Sequence, residues 1–271
     1  MRTVFAAVML CAACAAAVPA AAASGVRERD LSYDGGAYGP VTATVVAPAT
    51  PGAASPGILW VHWLGTPATT NRTEFLADAR ALAARGATSV LVDAMWSRAD
   101  WFTKGRKPAT DERDLLAQVA ALRRGLDLLG AQPGVDPAAL TLVGHDYGAM
   151  YGAIAASQDA RVTRLVLLAP SLAMWDWFLF GEPPADVPAY VARLSAYDLP
   201  RVLPGAHASA VLGQFAENDL YVPVSNAWTF RSLFGGRDVT TKRYKTDHAL
   251  ATEDVRADRD AWLIQHLGLR S

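Results

Sequence analysis

An α/β fold with a mainly parallel sheet is what this sequence predicts, on three observations. Apolar and β-branched runs bounded by Pro and Gly recur along the chain and read as strands. Most are apolar at nearly every position, as strands covered on both faces are. Helical patterns alternate with them, and strand, helix, strand repeated in this way gives right-handed crossovers between parallel neighbours.

In chain order the expected strands are "VTATVVAP" (41–48), "GILWVHW" (57–63), "TSVLVDA" (88–94), "LTLVGHD" (140–146), "VTRLVLLAP" (162–170) and "ASAVLGQFAEND" (208–219). Between Asp111 and Leu129, Leu115, Val119, Leu122 and Leu126 recur at i, i+4, i+7 and i+11, one apolar stripe of a helix that packs on the sheet. The alternation breaks once. Residues 171–208 are rich in aromatics and proline and show no strand pattern, which predicts a lid or excursion over the carboxyl ends of the strands. A chain of 271 residues without repeats or low-complexity linkers fits one domain over 24–271.

Residues 1–23 stand apart. Arg2, an apolar run from Val4 to Val18 and the small residues of "PAAAAS" form the pattern of a secretory signal peptide, so a secreted or periplasmic protein is expected. Mass spectrometry of the exported protein should find a new amino terminus near Ala23 or Ser24; an intact Met1 would refute the reading. Cys11 and Cys14 both lie in this segment, so the mature chain would hold no cysteine, which excludes a disulfide, a thiolate nucleophile and a cysteine metal site. Loss of Arg2 takes 25 basic residues to 24 against 26 acidic ones, moving the formal charge from −1 to −2. With no block of like charge, nothing favours nucleic acid or an anionic membrane as a partner. No later apolar run reaches the roughly 18 residues a membrane span needs, so no integral membrane segment is expected after cleavage.

Chemistry is concentrated in "LTLVGHDYGAMYGA", Leu140 to Ala153. An apolar strand breaks at Gly144 and small helix-forming residues follow at once, the pattern of a strand, sharp turn and helix that pushes one residue, here Asp146, into a site. Asp146 could instead cap the following helix. Two later residues each follow a strand signal of their own: Asp219 in the polar turn that ends "GQFAENDLYVP", with Glu217 close by, and His248 in "YKTDHAL". His62, His145, His207 and His266 are read as structural.

Nucleophile, acid and base in that order, each after its own strand, resemble the α/β-hydrolases over nearly all of the chain beyond the leader. The resemblance implies an α/β-hydrolase fold, a mainly parallel sheet flanked by helices with a short lid excursion. It implies a triad of Asp146, Asp219 and His248, with no cofactor and no metal. "WVHWLGTP" resembles the family's oxyanion loop, which implies backbone amides from Trp63 or Leu64 and from Tyr147; Trp63 departs from the usual glycine, leaving open which loop amide faces the oxyanion.

An aspartate at the elbow selects the reaction. Attack on an acyl carbon would give an anhydride, whereas attack on an sp³ carbon leaves an alkyl ester that water can cleave at the Asp146 carbonyl. "GHD" with an aromatic and Gly resembles epoxide hydrolases and haloalkane dehalogenases, while the overall size resembles dienelactone hydrolases, which use cysteine and act on esters. The expectation is a hydrolase acting on an sp³ carbon of a small apolar substrate, epoxide hydrolase-like. Dehalogenation, a dienelactone hydrolase-like or general-base esterase, and a non-catalytic binding protein are the alternatives. Tyr190 and Tyr197 are the expected donors to an epoxide oxygen, and Trp63, Trp96, Trp101, Trp175 and Trp177 the candidate apolar walls.

Overall fold

The computed structural model describes residues 25–65, 71–179 and 183–270, so the leader expected at 1–23 lies outside the described residues. Among the described residues eight strands form a single sheet: β1 (Val26–Asp34), β2 (Pro40–Pro48), β3 (Ser55–Val61), β4 (Thr88–Val92), β5 (Val135–His145), β6 (Val162–Leu168), β7 (Ala210–Ala216) and β8 (Asp238–Tyr244). Their spatial order is β1-β2-β4-β3-β5-β6-β7-β8. β1 and β2 pair antiparallel, as do β2 and β4; every later pair is parallel.

All six expected runs are strands, and they are the six interior ones. β1, "VRERDLSYD", and β8, "DVTTKRY", are the edges. Edge strands need bury no continuous apolar face and are commonly charged against edge-to-edge pairing, which is why β1 carries no apolar signal. The helices are α1 (Leu76–Ala84), α2 (Asp111–Gly130), α3 (Tyr147–Ser157), α4 (Asp176–Leu179), α5 (Val187–Leu194), α6 (Leu199–Val202), α7 (Asn226–Ser232) and α8 (Glu253–Leu267). α2 packs on α3, and α1 on α8. The predicted stripe Leu115, Val119, Leu122 and Leu126 is buried throughout, and α3 is buried along nearly its whole length behind β5. No helix among the described residues is long and apolar enough to cross a membrane.

Between 171 and 208 the described residues form short helices and turns without a strand. This excursion is fastened to the start of α2. Arg106 and Asp111 form a buried ion pair (Nη2 to Oδ2 3.0 Å), Arg106 lies over the Phe178 ring at 5.0 Å, and the Tyr190 hydroxyl donates to Asp111. The Tyr197 hydroxyl donates to Glu112 Oε1 at 2.9 Å. Burial raises the Asp111 carboxyl above its usual range, with the Tyr190 and Arg106 hydrogen bonds opposing it. The expectation that Tyr190 and Tyr197 face a substrate is therefore corrected: both phenols are committed to carboxylates of α2, and neither lines the cavity beside Asp146.

Candidate active site

β5 carries the chain to Asp146, whose amide donates to the Leu168 carbonyl of β6 at 2.9 Å. Asp146 has φ 56° and ψ −117°, a conformation that costs a non-glycine residue about 1–3 kcal/mol and persists only where its surroundings enforce it. The flanking glycines enforce it by close approach. A Cβ on Gly144 would lie 2.3 Å from the Gly148 carbonyl oxygen, and one on Gly148 would lie 2.2 Å from that of Val61. The "GxDxG" frame is thus required by backbone packed on backbone.

The capping alternative fails, since the Asp146 side chain accepts nothing from the amides of α3. Its Oδ2 accepts instead from the Leu64 amide at 3.0 Å. Oδ1 is buried, makes no hydrogen bond, and lies 3.6 Å from Nε2 of His248. The two oxygens of one carboxylate therefore differ: one is held by a backbone donor and the other is exposed to the base.

His248 Nδ1 lies 2.7 Å from Asp219 Oδ2, and Asp219 Oδ1 accepts from the amides of Tyr221 (2.8 Å) and Val222 (2.9 Å). A carboxylate pinned on both oxygens orients the ring. Burial works against ionising Asp219, but the bond and charge of His248 and those two amides hold its carboxyl below the usual range. Burial likewise works against a charged His248, and the close contact of Asp146, the hydrogen bond of Asp219 and the charges of both outweigh it, pushing its pKa up to about 9. Glu217, the rival for the acid, is exposed.

Which loop amide faces Asp146 is set by Glu74. Its Oε2 accepts the Trp63 amide at 2.7 Å, which leaves the Leu64 amide to face Asp146. Tyr147 opens α3 directly after Asp146, and its hydroxyl donates to the Trp177 carbonyl at 3.2 Å. His62 is structural: burial keeps it below its ordinary pKa, Nδ1 donates to the Trp63 carbonyl at 2.8 Å, and Nε2 accepts from the Ala94 amide at 3.1 Å. His266 bonds the Trp262 carbonyl at 2.8 Å, and His207 lies exposed.

A cavity of about 210 Å³ opens on Asp146 and His248, walled by Trp63, Leu64, Phe102, Tyr147, Trp177 and Tyr221. Of the expected aromatic walls, Trp63 and Trp177 are in place. Trp96 is corrected to a supporting layer: it is fully buried, donates from Nε1 to the His62 carbonyl at 3.0 Å, and packs on Tyr147 and Tyr151. Trp101 packs on Trp96 and Tyr147, and Trp175 is part-buried against the core; neither lines the cavity. Phe102 and Tyr221 were not anticipated. Tyr221 stands two residues beyond Asp219 and meets the His248 ring edge-on at 5.1 Å, so its signal lay in the acid loop itself. Among the described residues no His, Cys, Asp or Glu cluster is arranged to hold a metal ion.

No protein-family model and no curated protein sequence matches the chain. Solved structures do. A cold-adapted esterase from an Arctic intertidal metagenomic library is 20% identical with a TM-score of 0.67, covering 89% of this chain and 94% of that one. An acetyl xylan esterase from Paenibacillus sp. R4 is 18% identical with a TM-score of 0.69, covering 92% and 86%. A Klebsiella pneumoniae protein described as a dienelactone hydrolase is 15% identical with a TM-score of 0.66, covering 90% and 99%. At such identities the likeness establishes the fold: the chain has the α/β-hydrolase fold, with the outline of the dienelactone hydrolases.

Proposed function

We propose that the protein is a hydrolase that attacks an sp³ carbon of a small apolar substrate and forms an alkyl ester on Asp146. The observation that carries this reading is the split carboxylate, with Oδ2 on the Leu64 amide and Oδ1 turned without a hydrogen bond toward His248.

Oδ1 attacks carbon and the leaving group departs with the bonding electrons, an alkoxide from an epoxide or a halide ion from an alkyl halide. Water then adds to Cγ of the ester as Nε2 of His248 takes its proton, and negative charge develops on Oδ2, where the Leu64 amide already points. Collapse breaks the Cγ–Oδ1 bond as His248 returns the proton to the departing oxygen, so the product alcohol leaves with the enzyme's own oxygen.

Asp146 and Asp219 together raise the His248 imidazole above its ordinary value. Once the Asp146 carboxylate becomes a neutral ester, its contribution to the raised pKa is gone, and a protonated His248 passes its proton to the opened alkoxide through Tyr221, or to solvent when a halide leaves, before it acts as base in the second step.

Epoxides remain the first choice of substrate, with Tyr221 in place of Tyr190 and Tyr197 as the phenol on the cavity wall that protonates the alkoxide. Alkyl halides come second, the indoles of Trp63 and Trp177 lying on the same wall.

A single turnover in heavy-oxygen water tests the scheme, with small apolar epoxides screened before alkyl halides and carboxyl esters. The label is expected in the Asp146 peptide, and the product should carry ordinary oxygen. Label in product with none in the Asp146 peptide would establish a general-base esterase and overturn the proposal. Label in neither, with substrate bound, would make the protein a binder.

A further inference from the structure

We propose that Glu74 and His145 form a charged positioning pair that sets the Leu64 amide and His248 in register with Asp146; this rests on the reading of those groups as oxyanion donor, base and nucleophile. His145 is completely buried at the end of β5, immediately before Asp146. Its Nδ1 lies 2.7 Å from Glu74 Oε1 and its Nε2 lies 3.1 Å from the backbone carbonyl oxygen of His248. The other oxygen of Glu74 holds the Trp63 amide at 2.7 Å.

Both partners of the His145 ring are acceptors. A neutral imidazole supplies one N–H only, and with Nε2–H donated to the His248 carbonyl the other nitrogen would turn a lone pair toward a carboxylate. The proposed pair gives His145 two N–H donors, one for Glu74 Oε1 and one for the His248 carbonyl, with Glu74 as counter-ion. The Trp63 indole lies over that ring, with planes 10° apart and centroids at 5.2 Å, a face on which a cation is favourable.

Three separate parts of the site meet on this pair. The loop after β3 is tied through the Trp63 amide, the loop after β8 through the His248 carbonyl, and the nucleophile through the peptide bond that joins His145 to Asp146. By binding the Trp63 amide, Glu74 also leaves Leu64 as the loop donor to Oδ2. Neither Glu74 nor His145 lines the cavity beside Asp146, so both act through other residues.

The test uses the full chain labelled with ¹⁵N at neutral pH and no substrate, so its outcome is separate from the fate of the nucleophile reading. Two ring N–H signals are expected for His145 in the unmodified protein. Glu74→Ala should lose the Nδ1–H signal of His145 and shift the Nδ1–H signal of His248, although Glu74 touches neither Asp219 nor the His248 ring. Glu74→Gln can still accept from the Trp63 amide and can donate to a neutral His145, so it should restore the His248 signal while His145 keeps one N–H. One ring N–H on His145 in the unmodified protein, or a His248 signal unmoved by Glu74→Ala, overturns the proposal. If Glu74→Ala does not fold, the spectra of the unmodified protein and Glu74→Gln decide by the number of His145 N–H signals.

Discussion

Asp146→Asn and Asp146→Ala are each expected to lower turnover by at least about 10³-fold, because on the proposed scheme they remove the oxygen that forms the covalent bond. Asn preserves the shape of the side chain and an oxygen for the Leu64 amide, so the fold should survive, and the circular dichroism spectrum should match that of the unmodified protein. Ala removes little volume and relieves none of the backbone constraint at φ 56°. Residual activity above a few per cent in both variants would show that the elbow residue is not the nucleophile.

The same substitution has a signature in stability. His248 is raised above its ordinary value of 6.5 to about 9. A raised folded-state pKa contributes stability that is complete below about pH 6.5 and is lost as the pH climbs through about 9. Asp146→Asn neutralises one of the two carboxylates responsible, so the decline in Tm across that interval should flatten. A Tm–pH curve of unchanged slope would mean that the two side chains do not interact in solution.

The interior of the fold was legible because buried parallel strands advertise themselves: β3 through β7 are apolar at most positions, whereas β1 is charged and its pairing depends on β2 alone. The sharp turn at Asp146 was legible because its frame is dictated by backbone contacts between Gly144, Gly148 and Val61 that permit few other residues. Glu74 was not legible. It precedes α1 in "NRTEFLADA", where a glutamate is an ordinary polar residue, and its importance arises from a partner 71 positions later. Tyr190 and Tyr197 failed for a related reason. Sequence places them in the excursion, but the carboxylates of Asp111 and Glu112 decide where their phenols point.

Replacing His248 by Gln should separate the two chemical steps. Asp146 keeps its Leu64 donor, so displacement at carbon continues, while water has no base and the ester persists. Multiple turnovers should cease after a burst of one equivalent, with kcat reduced by at least about 10²–10⁴-fold, the usual contribution of a positioned acid–base group. Tm should fall as well, since Asp219 loses the cation that holds its carboxyl below the usual range. Intact mass then identifies the leaving group. An epoxide adds its whole mass, because the opened alkoxide stays attached and gains a proton that replaces the one lost from the carboxyl. An alkyl halide adds its mass less that of the hydrogen halide. Peptide mapping should place either adduct on the fragment that carries Asp146. A folded His248→Gln protein that binds substrate, turns nothing over and never carries an adduct would exclude the two-step scheme, because no other described group stands ready to cleave an ester on Asp146.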